Sequence, residues 1–114
     1  MSERAPKLLL NDILDSAEAI STFTYGYDYE QFLNDRKTRD AVIRNFEIIG
    51  EAANRLPEEY KDQMNTIDWH KIRGLRNRIV HNYSGIDEQI IWSVKEDYLP
   101  ELVAQINNYL NQIK

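Results

Sequence analysis

Apolar residues recur at three- and four-residue intervals along most of the chain, which is the spacing of helices that bury one face. The clearest apolar stripe consists of Val42, Phe46, Ile49, Ala53 and Leu56. Only four glycines and three prolines occur among 114 residues, and no segment reads convincingly as a strand. The spacing therefore predicts an all-α fold.

Capping residues and prolines predict where four or five helices begin and end. Asp28 is placed to start a short helical turn, Asp68 and Asp87 are placed as N-caps, and Pro100 should kink or divide the last helix. The segment 58–66 is expected to be a loop with some helical turns. The expected long helices are residues 6–23, 35–56, 69 to 81 or 83, and 88 to the C-terminus. We expect residues 1–114 to form one antiparallel four- to five-helix bundle.

The charge of the chain is unevenly distributed. Residues 69–83 carry a charge of +4 and no acidic residue, so the remainder carries −9 and the whole chain −5. A local basic segment on an acidic body indicates a focused anion site rather than a general nucleic-acid coat. The four basic residues of this segment are Lys71, Arg73, Arg76 and Arg78.

Several classes of protein are excluded or disfavoured by composition. The chain has no cysteine, which excludes disulfides, zinc–thiolate sites and thiol nucleophiles. No apolar run reaches the roughly 18 residues of a membrane span, and no leader peptide is visible, so a cytoplasmic location without membrane contact is expected. The glycines form neither a P-loop nor a dinucleotide-binding turn, and two histidines eleven residues apart make a poor metal site.

Arg76 occupies an unusual position on the third long helix. At about 100° per residue it falls inside an apolar arc, where an unpaired charge is costly. Either a carboxylate pairs with it, or this face lines a polar cleft at a subunit interface. His81 is five residues further, about 140° around the helix, so the two converge only in a loosened last turn or between two facing copies. The arc consists of Ile72, Leu75, Ile79, Val80 and Tyr83.

Two acidic residues of the preceding long helix are candidate partners for the basic segment. Arg44, Glu47 and Glu51 share one face at i, i+3 and i+7. One interpretation is a solvated face with an Arg44–Glu47 pair; the other is that Glu47 and Glu51 hold the basic segment in place. Asn45 lies at the edge of the apolar stripe, where its amide must find hydrogen bonds.

The residue types in the basic segment suit metal-free RNA cleavage. Histidine transfers protons near neutral pH, and arginine presents a planar fork to phosphate. One chain supplies only His81 in this segment, whereas the reaction needs both an acid and a base. A two-fold dimer that brings two copies of His81 together would meet that need.

The segment "RNRIVHNY" carries the pattern R-N-x3-H-x-Y and resembles the HEPN domain, specifically the HepT-like toxin family. The blocks "RNFEIIGEAANRLP", "IDWHKIRGLRNRIVHNY" and "IIWSVKEDYLPEL" are similar to that family in order and spacing, and they cover most of residues 39–103. The resemblance implies a metal-independent endoribonuclease toxin without a cofactor, acting as a homodimer or higher even oligomer.

The resemblance also implies roles for individual residues. Arg76 and His81 match the catalytic pair, Asn77 matches the polar residue beside the arginine, and Arg73 would support them. Tyr83 matches the tyrosine that a nucleotidyltransferase antitoxin of the MntA type modifies with AMP to silence the toxin. An alternative is a non-catalytic subunit that presents a nucleotide or substrate to a nucleotidyltransferase, and a third is a helical scaffold with an incidental basic patch.

Overall fold

The computed structural model describes residues 5–82 and 85–113, and the regular structure of this part of the chain is helical throughout. A five-residue π-helical turn, Val94–Tyr98, joins the last two α-helices. The predicted all-α fold is confirmed. The helices are α1 Pro6–Phe23, α2 Tyr29–Asn34, α3 Arg36–Arg55, α4 Glu58–Gln63, α5 Trp69–His81, α6 Glu88–Ser93 and α7 Leu99–Gln112.

Aspartate side chains cap the starts of α2 and α3. Asp28 accepts a hydrogen bond from the backbone N–H of Gln31 at 2.8 Å, and Gln31 Oε1 accepts one from the N–H of Asp28 at 2.9 Å. Asp35 accepts hydrogen bonds from Tyr27 Oη at 2.7 Å and from Thr38 Oγ1 at 2.8 Å. The bonds from Tyr27 and Thr38 lower the pKa of Asp35 to about 2. The short link between α1 and α3 is therefore fixed by local polar contacts.

The hydrophobic core is centred on α3, which packs most extensively against α1 and α5. All five residues of the predicted α3 stripe are buried, and Phe46 is completely inaccessible. Full burial of such a side chain contributes roughly 1.5–3 kcal/mol to the free energy of folding. Asn45, at the edge of the stripe, donates from Nδ2 to the carbonyl of Ala41 at 2.8 Å, as its position required.

Pro100 is accommodated by the π-helical turn that precedes it. A prolyl ring in a helix removes one N–H donor and collides with the carbonyl four residues earlier. The wider π-helical turn, Val94–Tyr98, lies directly before this point, and Leu99 keeps right-handed helical dihedral angles (φ −61°, ψ −44°). The predicted irregularity at Pro100 is thus a local widening of the helix.

Three details of the sequence-based prediction are corrected. The described residues contain seven α-helices rather than four or five, because residues 29–34, 58–63 and 88–93 each form a separate short helix. Residues 58–63 form the short helix α4 rather than a loop with helical turns. Val80, assigned to the apolar arc of α5, is 44% exposed, because the buried side of α5 is centred on Ile72, Leu75 and Ile79. None of the described helices is long and apolar enough to cross a membrane.

Candidate functional site

Helix α5 carries the basic segment and is fixed at its N-terminal end. Asp68 caps the helix by accepting the N–H of Lys71 at 3.1 Å, and its own carbonyl accepts the Tyr98 hydroxyl at 2.9 Å. Trp69 Nε1 donates to the carbonyl of Met64 at 3.2 Å. Burial raises the pKa of Tyr98, which remains a hydrogen-bond donor. These contacts set the direction in which the basic side chains of α5 point.

Arg76 lies where α5 crosses α3, and its aliphatic stem rests on Gly50. A Cβ atom placed on Gly50 would overlap the Cβ of Arg76 and would lie 2.6 Å from its Cγ. The same Cβ would lie 3.4 Å from the backbone oxygen of Ile72. Only glycine at position 50 allows the two helices to approach this closely. The α3–α5 contact therefore fixes the root of the Arg76 side chain.

The guanidinium of Arg76 is only partly satisfied. Its Nη1 donates to Asn77 Oδ1 at 3.2 Å on the exposed side. Its Nε is the one buried side-chain nitrogen or oxygen without a hydrogen-bond partner in residues 5–82 and 85–113. A buried donor without a partner costs about 1–3 kcal/mol, so a contact that satisfies it would be favourable. Arg76 and Asn77 thus form a polar pair at the edge of the α3–α5 contact.

His81 is exposed and is the last residue of α5. The N–H of Asn82 donates to the carbonyl of Arg78 at 2.9 Å, so regular i→i−4 bonding continues to the end of the helix. Up to Asn82, where the described part of this segment ends, the last turn of α5 is not loosened. On a regular helix Arg76 and His81 point about 140° apart, so one chain alone does not bring them together.

The acidic candidates on α3 do not pair with the arginines of α5 in the described residues. Glu47 instead forms an ion pair with Arg44 at 3.2 Å, and its side chain is 23% exposed. Glu51 is half-buried and follows Gly50 directly, while Arg73 is exposed on α5. Of the two interpretations offered for this face of α3, the structure contains the Arg44–Glu47 pair.

Tyr83, the predicted modification site, lies outside the described residues. Of the described residues that flank it, Asn82 accepts at its carbonyl the N–H of Gly85 at 3.1 Å. The side chain of Asn82 also covers Gly85, where an added Cβ would lie 2.8 Å from Asn82 Oδ1. No group of three or more His, Asp or Glu side chains in the described part of the chain is arranged to hold a metal ion.

Gly50 is the residue of this region that the sequence analysis did not single out. A glycine inside a long predicted helix lowers helix stability by roughly 1 kcal/mol relative to alanine, which is the available signal of a packing role. Spacing alone could not show that Arg76 is the residue it contacts. Gly50 acts as a positioning residue for Arg76.

Two glycine-to-alanine substitutions should have opposite effects on stability. Gly50→Ala forces α3 and α5 apart and should lower the free energy of unfolding by about 1–2 kcal/mol, because overpacking outweighs the gain in helix propensity. Gly74→Ala adds a Cβ on α5 that meets nothing within 4 Å, so it should raise that free energy by up to about 1 kcal/mol. Urea unfolding of both variants measures the difference. Equal effects would contradict the close contact at Gly50.

The chain is similar to proteins described as ribonucleases. Residues 13–109 match the family described as ribonuclease HepT-like. A putative RNase of Methanocaldococcus jannaschii is 37% identical over 106 residues, which cover 93% of this chain and 97% of that protein. The probable ribonuclease HepT of Thermococcus cleftensis is 37% identical over 100 residues, which cover 88% of this chain and 91% of that protein.

A putative RNase of Caldanaerobacter subterraneus is 32% identical over 111 residues, covering 97% of this chain and 99% of the relative. No solved structure gives a significant match to the chain. The family match spans α3, α5 and the residues between them, and therefore includes Gly50, Arg76 and His81. Because these matches cover most of the chain, it belongs to the ribonuclease HepT-like family.

Proposed function

We propose that this chain is a metal-independent endoribonuclease that acts as a two-fold dimer, with Arg76 and His81 as its catalytic residues. The observation that carries the proposal is the arrangement on α5: an arginine with an unsatisfied Nε at a helix crossing, and an exposed histidine one and a half turns further along. Family membership and the ribonuclease names of the relatives support RNA as the substrate.

The proposed reaction uses the RNA's own 2′-hydroxyl as the nucleophile. One His81 imidazole removes the 2′-OH proton while O2′ attacks the phosphorus. The bond from phosphorus to O5′ breaks, and O5′ takes a proton from the imidazolium of His81 in the second copy. The products are a 2′,3′-cyclic phosphate and a 5′-hydroxyl, so protons and electron pairs balance without another reactant.

Arg76 would stabilise the phosphoryl oxygens as negative charge accumulates on them. Its planar guanidinium suits two oxygens of one phosphate, which its exposed terminal nitrogens would contact. Asn77, which accepts from Nη1, would orient the fork. Arg73, Glu47 and Glu51 would act only indirectly, through the local field and the packing of α3 and α5.

The dimer is proposed because a single chain holds its catalytic side chains apart. Arg76 and His81 diverge by about 140° on an unbroken helix, and each chain brings one His81 to a reaction that needs an acid and a base. Val80, exposed one turn beyond Arg76, offers apolar surface for the contact between copies. A two-fold axis beside α5 would bring both catalytic pairs to one cleft.

The test of the proposed activity is incubation of the purified chain with single-stranded RNA in excess EDTA. Cleavage should proceed at the same rate as in buffer with Mg²⁺, because every proposed step uses protein side chains. RNA that stays intact in both buffers would contradict the ribonuclease proposal. Cleavage that stops only in EDTA would contradict its metal independence.

We further propose that the chain is the toxin of a toxin–antitoxin pair, silenced when an MntA-type nucleotidyltransferase attaches AMP to Tyr83. The proposal rests on the motif match at Tyr83, two residues past His81. Each AMP would add a bulky, negatively charged phosphodiester beside groups that bind RNA phosphate, so cleavage should be lost through repulsion and steric blocking.

Modification should be detectable as added mass on one tyrosine. Incubation with the nucleotidyltransferase and ATP should add one or more AMP units at Tyr83, and Tyr83→Phe should retain cleavage while escaping silencing. Peptide mapping by mass spectrometry identifies the acceptor. Added mass on Tyr98 or Tyr109 instead would overturn the assignment and leave the ribonuclease proposal intact.

A further inference from the structure

A groove between α5 and α6 lies beside the side chains proposed above as catalytic, and none of those side chains lines it. It encloses about 730 Å³, which is within the roughly 300–1,000 Å³ typical of ligand sites. One wall is α5, with Lys71, Gly74 and Arg78; the other is formed by Tyr29, Ile90 and Trp92. The two walls differ in chemistry, the first basic and the second largely apolar.

The basic wall carries two charged side chains that have no ion-pair partner among residues 5–82 and 85–113. Lys71 and Arg78 are exposed, and neither side chain forms an ion pair or hydrogen bond with another described residue. Some other cations are paired: Arg44 with Glu47, and Lys61 with Glu58. In a chain of net charge −5, unpaired cations along one groove favour an anionic ligand.

The groove also contains one carboxylate. Asp87 lines the groove, but its side chain already accepts the N–H of Gln89 at 2.8 Å as the N-cap of α6. The groove therefore keeps an excess of positive charge from Lys71 and Arg78. An anion entering it would meet these two cations on the α5 side.

The spacing of the two cations indicates the size of the ligand. Lys71 and Arg78 are seven residues apart, which is about two turns or roughly 10 Å along α5. A single phosphate is too small to contact both side chains over that length. An extended chain of phosphates, such as a single nucleic-acid strand, presents charges at several points along the groove.

The apolar wall is held rigid by aromatic contacts. Trp92 packs against Phe32 with ring centroids 5.1 Å apart and against Tyr29 at 6.2 Å. Lys95 Nζ lies 4.4 Å from the centroid of the Trp92 ring. Trp92 and Tyr29 remain half-buried, so each keeps surface open to the groove. Such surface suits the flat, apolar faces of nucleic-acid bases.

We propose that this groove binds a single-stranded segment of the RNA substrate next to the cleaved bond. Lys71 and Arg78 would contact phosphates, and the wall formed by Tyr29, Ile90 and Trp92 would contact bases. On a regular helix His81 points only about 20° from Gly74, so a strand following the groove leads to the proposed proton donor. The inference rests on the proposed function, because it assigns the substrate-binding surface of the same enzyme.

The test measures RNA affinity separately from cleavage. A fluorescein-labelled single-stranded RNA is titrated with His81→Ala protein, which prevents cutting, and with the same protein carrying Lys71→Ala and Arg78→Ala. The double substitution should weaken binding by roughly tenfold or more, since hydrogen bonds to charged groups are lost. The slope of log affinity against log salt should also fall by about 0.7 for each phosphate contact removed.

Two control substitutions remove one lysine charge and one arginine charge at positions outside the groove. Lys37→Ala and Arg55→Ala alter exposed basic residues of α3 that do not line it. Together they should leave the salt slope unchanged. Gly74→Glu, at a position where an added Cβ meets nothing within 4 Å, should weaken binding as strongly as the double substitution, because it places a carboxylate in the groove.

The outcomes separate this inference from the proposed function. In the chain that retains His81, the Lys71 and Arg78 substitutions should raise KM with little change in kcat. If the substituted chain cleaves RNA with unchanged KM, affinity and salt slope, the groove assignment is wrong while the ribonuclease proposal stands. The groove would then be a site for a protein partner. RNA binding that depends on the groove, without any cleavage, would support the groove assignment and overturn the ribonuclease proposal.

Discussion

Replacing His81 with alanine is expected to slow RNA cleavage by about 10²–10⁴-fold for each of the two proton transfers it removes. The loss should appear mainly in kcat, since the imidazole acts on the reacting oxygens and contributes little to binding of the whole strand. The side chain is exposed at the end of α5, so the fold should be retained. Single-turnover cleavage of a labelled RNA, with circular dichroism as the check on folding, measures the effect.

The corresponding substitutions of Arg76 separate charge from shape. Arg76→Lys keeps a positive charge and an aliphatic stem against Gly50 but loses the planar fork, and Arg76→Ala loses both. We expect Arg76→Ala to lower kcat by about 10²–10³-fold, as removal of a transition-state donor does, and Arg76→Lys to recover only part of that loss. Arg55→Ala, at an exposed arginine of α3, serves as the matched control. Full activity of Arg76→Ala would remove the arginine from the mechanism.

The second large effect is expected when His81→Ala chains are mixed with unaltered chains. If both copies of His81 serve one cleft, only dimers with two intact histidines are fully active. Chains unfolded and refolded together should then show activity proportional to the square of the unaltered fraction, which is about a quarter when half the chains are unaltered. If each chain acted alone, the same mixture would retain half of the activity.

This mixing experiment has its own control and its own contradicting result. Mixing with Lys37→Ala chains should leave activity constant at every ratio, because Lys37 is exposed on α3 and has no proposed catalytic role. Light scattering establishes the dimer beforehand. A linear fall of activity with the fraction of His81→Ala chains would show that each chain acts alone, and the composite cleft would be wrong.

Local interactions explain why so much of the fold could be predicted. Asp28, Asp68 and Asp87 each accept a hydrogen bond from a backbone N–H two or three residues later, so helix starts are encoded within one turn of sequence. The α3 stripe was predicted because a helix that buries one face places its apolar residues at a strict spacing. The π-helical turn before Pro100 was not predicted. Several kinds of local distortion can relieve the clash between a prolyl ring and the preceding helical turn, and the sequence does not select one of them.

The position of Arg76 shows which contacts the spacing of residues along a helix cannot predict. A helical wheel gives angles between side chains but not the direction of the neighbouring helices. Val80 was therefore counted with the apolar arc, although the buried side of α5 is centred on Leu75 and Ile79. The dependence of Arg76 on Gly50 involves residues 26 positions apart, and no local pattern shows that contact. The groove beside α5 likewise appears only when α6 and α2 are in place.

The proposed cleft, by contrast, depends on a contact that one chain does not contain. The motif residues Arg76 and His81 could be selected from the sequence, but in the proposed cleft a second copy of α5 brings them together. On one unbroken helix they point in different directions. Helix geometry read from the sequence was enough to propose a dimer, although not to place the proposed two-fold axis.

The chemical ends of the RNA fragments test the central claim most directly, because they record which oxygen attacked the phosphorus. A defined RNA is cleaved in EDTA and its fragments are analysed by mass spectrometry, with the His81→Ala protein as the control for contaminating nucleases. Attack by the 2′-hydroxyl predicts 5′-hydroxyl ends together with 2′,3′-cyclic phosphate or 3′-phosphate ends, absent from the control. Fragments with 5′-phosphate and 3′-hydroxyl ends would show that water attacked instead, and the mechanism assigned to Arg76 and His81 would be wrong.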